Sequence, residues 1–377
     1  MARAAPLLRL PRRHPRLPRD VPGHRSRGLS LVELMISLVL GLVLVGGALS
    51  LYVTSRQSSR NQEGLARVQE GARFALDQMA REIRTAGVIP CGSSLTANVL
   101  VTKTASAPAA PWWADTHAGV LRGGENSDQG VLPTGTTVPR AAGTDSLVIL
   151  RTSDDEGQYA RVLVHDAAAF QFSVAASVPV SATAATPASA ATVARIGEKD
   201  YALVCDSLSA ALFQVDTVRA SAGLVNYGGS PSNCTTDLGS VNAACGSTSA
   251  KAFPRGALLV PWEPGFWYVG EPVAGRRALY RAAPDRTGTL QPVERVPAVE
   301  NLQIEYLTRN NNSGGTLATA WVDASTLSGQ WSNPALEVVA LRLTLTLRHE
   351  AKAASAGASA PVERVFQSVV ALRGKEP

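Results

Sequence analysis

The feature that most constrains this chain is an apolar stretch of 27 residues, 29–55, in which Glu33 is the only charged side chain. At about 1.5 Å per residue, a helix of this length measures roughly 40 Å and is long enough to cross the hydrocarbon layer of a membrane, which is about 30 Å thick. Residues 1–28 before it contain eight arginines and one acid. Because basic residues before a span stay cytoplasmic, we expect the rest of the chain to be exported.

The basic excess of the chain lies in this leader. The whole sequence has 36 Lys and Arg against 30 Asp and Glu, so residues 29–377 have 36 − 8 = 28 bases and 30 − 1 = 29 acids. A phosphate-binding surface needs a basic face on the folded part of a protein, so this balance argues against direct binding of nucleic acid. The 45% of hydrophobic residues also excludes a disordered chain.

Glu33 separates three interpretations of the apolar stretch. A secretory signal peptide, cut near residues 48–50, and an uncleaved membrane anchor both leave this acid unexplained, and an acid in the apolar layer costs about 2.5–3.5 kcal/mol. In the third, cleavage after Gly28 frees a cationic amine at Leu29, and Glu33 of one subunit pairs with the amine of the next when helices stack in a fibre. A glutamate that reaches to the membrane surface in a lone anchor is the simpler alternative.

A second, amphipathic helical pattern follows the apolar stretch. Apolar residues recur at intervals of three and four, and they are Leu65, Val68, Ala72, Ala75, Leu76, Met79 and Ile83. We assign the charged residues between Arg60 and Arg84, Glu82 among them, to the other faces. Gly87 is a natural stop and Pro90 prevents a restart, so we expect one helix over residues 29–86.

The remaining residues, 88–377, are expected to form a β-rich head with loops. Residues 88–143 and 176–194 have the composition of long loops, whereas residues 144–151 and 159–165 predict a hairpin. Further strands are predicted at 201–205, 209–218, 265–269, 278–282, 302–307, 338–348 and 364–372.

The run from Leu341 to Leu347 alternates leucine with arginine and threonine. Such alternation predicts an antiparallel sheet with one face buried, and we expect that face to pack on the amphipathic half of the helix. The domain organisation is then a leader (1–28), a membrane or fibre-core helix (29–55), an amphipathic helix half (56–87) and the head (88–377).

Four cysteines in an exported chain are expected to form disulfides. Three connectivities are possible, and we favour Cys234 with Cys245 across a short polar loop and Cys91 with Cys205 between the helix end and the sheet. A zinc site is the rival interpretation, but the sequence has no Cys-x-x-Cys motif and its histidines are scattered.

No motif for catalysis, a cofactor or a metal is present. The sequence has no phosphate-binding loop, dinucleotide fingerprint, nucleophile elbow or zinc-protease motif, so we do not expect an enzyme. Residues 154–156 are acidic but lack the spacing of a calcium loop, which favours a solvated turn. The aromatic residues Trp262, Phe266, Trp267 and Tyr268 could form a partner surface, but packing in the core is the preferred interpretation.

Gly28, Leu29 and Glu33, followed by the apolar helix, resemble the N-terminal signal of type IV prepilins. In that family a prepilin peptidase cuts after the glycine and methylates the new N-terminus. Within the pilin-like proteins, four further segments are similar to PilW-type minor pilins: residues 69–87 with Cys91 soon after, 210–215, 301–306 and 366–373.

The resemblance implies an α+β pilin-like fold, in which the long N-terminal helix packs on an antiparallel β-sheet head. It implies a single-pass inner-membrane protein with its head in the periplasm, which reaches the pilus tip or cell surface after assembly. The implied function is in the tip priming complex that starts fibre growth and supports twitching, adhesion or DNA uptake.

The implied partners are the prepilin peptidase, the other minor pilins, the major pilin, a large tip adhesin, the inner-membrane assembly platform and the lipid bilayer. Two alternatives stay open. One is a J-type pseudopilin of type II secretion, which is usually much shorter than this chain. The other is a membrane-anchored periplasmic binding module that never joins a fibre.

Overall fold

The computed structural model describes residues 30–100, 102–104, 107–109, 111–126, 137–175, 196–239, 244–248, 251–352 and 359–372. The chain divides into two compact units, residues 1–58 and residues 59–377. A single helix, α1 (Leu31–Arg84), contributes its first half to the first unit and its second half to the second.

The helix ends two residues before the predicted boundary. Thr85 and Ala86 close its last turn, since their N–H groups donate to the carbonyls of Glu82 and Ile83 over 3.2 and 3.1 Å. Gly87 then adopts a left-handed conformation with φ of 69°. Its N–H donates to the carbonyl of Leu150 over 2.9 Å, so the glycine directs the chain away from the helix and into the head.

The head is built from strands that follow α1. In chain order they are β1 (Leu95–Asn98), β2 (Thr102–Thr104), β3 (Ala107–Ala109), β4 (Leu121–Gly124), β5 (Ser146–Ile149), β6 (Ala160–Asp166), β7 (Gln171–Ala175), β8 (Tyr201–Cys205), β9 (Ala210–Gln214), β10 (Thr217–Arg219), β11 (Leu224–Asn226), β12 (Leu258–Pro261), β13 (Gly265–Val273), β14 (Arg276–Pro284), β15 (Leu290–Pro297), β16 (Val299–Asn310), β17 (Thr316–Leu317), β18 (Val322–Asp323), β19 (Leu336–Lys352) and β20 (Ser359–Ala371). Short 3₁₀ helices occur at Glu156–Gln158, Ala220–Ala222, Asn311–Ser313 and Ala324–Leu327.

The strands form three larger sheets and one small pair. The first sheet has the order β1-β9-β8-β12-β6-β7-β11-β10, and its β1–β9 pair is parallel. The second has the order β15-β14-β13-β5-β4, and the third has the order β17-β16-β19-β20 with β18 also on β16. β2 and β3 form the small pair. The other strand pairs are antiparallel, as predicted.

The main core joins the second half of α1 to the second and third sheets. The four leucines of β19 at positions 341, 343, 345 and 347 are all buried in it, which confirms the alternation read from the sequence. Trp267 and Val296 bring the second sheet into the same core. The helix therefore packs on two sheets, where we expected one, because the head has more strands than the sequence pattern revealed.

The predicted hairpin is wrong in its pairing. Its two strands form as β5 and β6, but β5 pairs with β13 and β4, whereas β6 pairs with β7 and β12. All four residues of β5 are buried, as suits a central strand, whereas β6 is exposed at several positions. The two strands thus differ in their burial and belong to different sheets.

Of the two predicted loops, one contains strands and the other lies outside the described residues. Residues 88–143 contain β1 and the fully buried β4, so this region is not the long loop that its composition indicated. Residues 176–194, the other predicted loop, lie outside the described residues.

Candidate functional site

The apolar half of α1 presents its large side chains to the outside. Within residues 31–58 the apolar side chains are more than half exposed, among them Leu31, Leu42, Leu44 and Leu51. By length and composition alone, this helix is long and apolar enough to cross a membrane. The polar groups of Ser37 and Thr54 bond back to the carbonyls of residues 33 and 50, so they add little polar surface.

Glu33 lies in the first turn of α1. A carboxylate at this end of a helix interacts favourably with the helix dipole, typically by about 0.3–1 kcal/mol. Its side chain is exposed, so it is available to a second molecule. Gly28 and Leu29, the predicted cleavage position, lie outside the described residues.

The second half of α1 packs through a stripe that combines alanines with larger apolar residues. Ala72 and Ala75 are fully buried, with Val68, Met79 and Ile83 along the same stripe. A Cβ atom added at Gly71 would lie 3.0 Å from Cγ1 of Val296 on β15. The lack of a side chain at Gly71 therefore lets the helix come close to β15 at this point.

Glu82 fixes the end of the helix to the second sheet. Its Oε2 accepts a hydrogen bond from Nε1 of Trp267 over 2.8 Å, and its Oε1 accepts one from Nε of Arg281 over 2.7 Å. Gly265 makes room for this arrangement, because a Cβ there would lie 3.0 Å from Oε2 of Glu82. A buried carboxylate with two donors is a specific attachment between distant parts of the chain.

Glu82 does not lie where the periodic pattern predicts. We assigned it to a face other than the apolar stripe, but it is only 6% exposed. The signal was available, since Glu82 follows the buried Met79 by three residues and so lies on the apolar stripe.

Two disulfides brace the head. Cys91 bonds to Cys205 on β8, and Cys234 bonds to Cys245, with sequence separations of 114 and 11 residues. These are the two pairs that we favoured from the sequence. Since all four cysteines are bonded, none is left as a thiolate ligand for zinc.

The aromatic residues and the acidic turn that we considered as candidate sites have roles in packing and in turn formation. Phe266, Trp267 and Tyr268 are fully buried and Trp262 is nearly so, as expected for core packing. At the acidic turn, Asp155 accepts hydrogen bonds from N of residue 157 and Nε2 of residue 158, each over 3.0 Å. Among the residues with described placement, no group of three or more His, Cys, Asp or Glu could hold a metal ion.

Two protein-family models match this chain. The prokaryotic N-terminal methylation motif matches residues 23–49, which contain the predicted cleavage position and Glu33. The model of type IV pilus-assembly protein W matches residues 266–373, which run from β13 to just beyond β20. No curated protein matches the chain, and no solved structure matches it. The second match thus covers β13 to β16, β19 and β20, which share a core with the amphipathic half of α1, but not β4 and β5, which belong to the same core.

Proposed function

We propose that this chain, a PilW-type pilin of type IV pili, is a minor subunit that works in the priming complex at the pilus tip and promotes the start of fibre growth. One observation carries the proposal: the N-terminal methylation motif at residues 23–49 and the pilus-assembly region at residues 266–373 occur in the same chain. The first match supports an N-terminal helix that can be built into a fibre. The second match supports a head of the pilus-assembly type.

Processing is the first step of this function. The prepilin peptidase cleaves between Gly28 and Leu29 and methylates the new N-terminus. The mature chain then begins with the apolar half of α1 and remains anchored in the inner membrane by it, with the head in the periplasm. The exposed apolar side chains of residues 31–55 support this step, since they suit lipid before assembly and neighbouring helices after it.

Glu33 sets the axial register of assembly. In an apolar fibre core its carboxylate needs a positive partner, and the N-terminal amine of the next subunit lies at a matching depth. The same carboxylate favours the helix terminus in the lone subunit, so it has a role before and after assembly.

The head contacts the rest of the tip. Its partners are other minor pilins, the major pilin and a large tip adhesin, and the inner-membrane platform adds the subunit to the fibre. Through fibre initiation the protein supports twitching, adhesion or DNA uptake.

The first test is the mass of the N-terminal peptide of the membrane-fraction protein, measured with and without the prepilin peptidase. We expect a methylated Leu29 start that disappears without the enzyme. A start near residue 50 would contradict the proposal, because the fibre-forming helix would then be missing.

The second test asks whether the processed protein joins a pilus. Glu33→Ala should reduce its amount in sheared pili while the membrane fraction keeps it, whereas Glu63→Ala, at an exposed position of the same helix, should have no effect. Co-purification with other minor pilins distinguishes a pilus subunit from a lone anchored module. Recovery with secretion-system subunits instead would favour the pseudopilin alternative.

A further inference from the structure

A charged cavity of about 370 Å³ lies in the second unit beside the end of α1. The helix contributes Gln78 and Glu82 to its wall, and the second sheet contributes Arg281 and Arg295. Arg151 and Glu263 lie in the same wall. Three arginines and two glutamates therefore share this space, which leaves one positive charge in excess.

Two of the arginines have carboxylate partners. Arg281 Nε lies 2.7 Å from Glu82 Oε1, and Arg151 Nη2 lies 2.6 Å from Glu263 Oε2. Arg151 has a second, longer contact of 3.4 Å with Asp154, whose side chain is half exposed and lies outside the cavity wall. The acids of the site are thus already engaged.

Arg295 is the arginine in excess. It is partly buried, and among the described residues its guanidinium has neither an ion pair nor a hydrogen bond. Arg281 uses only Nε in the hydrogen bonds found there, so its terminal nitrogens remain as donors. Buried side-chain atoms without a partner also include Nε of Arg151 and Oε1 of Gln78. A partly buried cation without a partner is unfavourable, since it loses hydration without compensation.

A β-bulge directs Arg295 into the cavity. In the pairing of β14 with β15, Leu279 lies opposite Val296 and Tyr280 lies opposite Glu294, so Arg295 is the extra residue. Two consecutive residues can then face α1, Val296 in the core and Arg295 in the cavity wall. Bulges of this kind re-aim side chains next to functional sites.

We propose that this cavity binds one oxyanion, the carboxylate or phosphate group of an acidic ligand, with Arg295 as its main contact and Arg281 as a second. A guanidinium presents parallel N–H donors that match either group. The bound anion would neutralise the excess charge and give the free donors of both arginines an acceptor. The inference concerns the head alone and does not depend on the role of the chain in a pilus.

The test is the melting temperature of the full mature chain in detergent, titrated with glutarate or with inorganic phosphate at constant ionic strength. Ligand that binds only the folded state should raise the melting temperature by about 2 °C at ten times its dissociation constant. The Arg295→Gln variant should lose this response. Arg276→Gln, an exposed position on β14, should keep it.

A direct readout avoids any dependence on the stability of the variant. Phenylglyoxal modification of Arg295 in the wild-type chain, followed by peptide mass, should slow when the anion is bound. A response to glutarate alone identifies a carboxylate ligand, and a response to phosphate alone identifies a phosphate ligand. The proposal would be overturned if neither anion gave a saturable response, or if Arg295→Gln responded like the wild type.

Discussion

Residues 31–58 and residues 59–84 belong to the same helix but differ in the exposure of their apolar side chains. The first segment exposes large residues such as Leu42 and Leu44, and nothing in the described structure of that unit covers them. The second buries a stripe in which alanines such as Ala72 and Ala75 alternate with larger residues such as Met79 and Ile83. A sheet has a fixed surface that each buried side chain of the helix must fit, whereas lipid chains adapt to large side chains of any shape.

One continuous helix is therefore suited to two different surroundings. The apolar half depends on its total hydrophobicity, and single changes of size there should matter little. The amphipathic half depends on the fit of individual side chains. Five predictions follow from this difference: three change residues of the helix, and two test the stability of the head on which its second half packs.

The largest effect is expected from a charge in the buried stripe. Met79→Glu places an unpaired carboxylate in the core, and we expect a loss of more than about 5 kcal/mol in the free energy of unfolding. Leu42→Glu should leave the unfolding of the head unchanged and reduce membrane insertion instead. Denaturant titration of tryptophan fluorescence and membrane fractionation measure the two outcomes. Equal unfolding midpoints for both variants would contradict the comparison.

Disulfide removal comes second and should affect the head alone. In the chain-entropy picture, replacing Cys91 and Cys205 by alanine costs about 4–5 kcal/mol, because that bond closes a loop of 114 residues. The same change at Cys234 and Cys245 should cost about 3 kcal/mol for a loop of 11 residues. Unfolding curves of the two variants check the order. Their membrane fractions should equal that of the wild type.

The third prediction concerns the attachment of the helix end. Glu82→Ala leaves Arg281 poorly solvated and unpaired, so we expect a loss of about 3–5 kcal/mol. Adding Arg281→Ala should recover part of that loss, which a double-mutant cycle measures. Glu70→Ala, at an exposed position of the same helix, is the matched control. Strictly additive losses would show that the pair does not act as a unit.

The fourth prediction is a pH dependence of the head. Burial lowers the pKa of His165 to about 4, while its Nδ1 accepts a hydrogen bond from N of Phe253 over 3.0 Å. Its ordinary pKa is about 6.5, so between pH 6.5 and pH 4 the unfolded chain binds a proton that the folded chain does not. The free energy of unfolding should therefore decrease as the pH is lowered from 6.5 to 4, by about 3 kcal/mol in total.

Two variants isolate that effect. His165→Asn should lower the stability at neutral pH but flatten its decline between pH 6.5 and pH 4. His117→Asn, at an exposed position, should decline like the wild type. The measurement is the denaturant midpoint as a function of pH. An unchanged slope in His165→Asn would assign the acid sensitivity to other groups.

The smallest effect compares the same substitution in both halves. Gly71→Ala adds a methyl group 3.0 Å from Val296, and overpacking of about 1–3 kcal/mol should exceed the gain of about 1 kcal/mol in helix propensity. Gly46→Ala has open space around it and should leave the unfolding of the head unchanged. Denaturant midpoints check both. A stabilised Gly71→Ala variant would show that Val296 on β15 shifts to make room for the added methyl group.

Local patterns predicted the elements well and their partners poorly. The strand at 201–205 was predicted with its observed limits, and α1 within two residues at its end. By contrast, β5 pairs with a strand more than a hundred residues later, and its sequence contains no mark of that partner. The short β12 and the proline-containing β15 were missed because their patterns are too brief or too interrupted to stand out.

Short stretches of sequence are enough to predict the helix, its stop at Gly87 and a processing motif at Gly28, Leu29 and Glu33. Each depends on neighbours within a few positions, where periodicity and spacing are visible. The burial of Glu82 against Arg281 depends on the folded head, because these residues are 199 positions apart. The tertiary structure also directs Arg295 into the cavity, because one extra residue in the pairing of β15 changes which side chains face the helix.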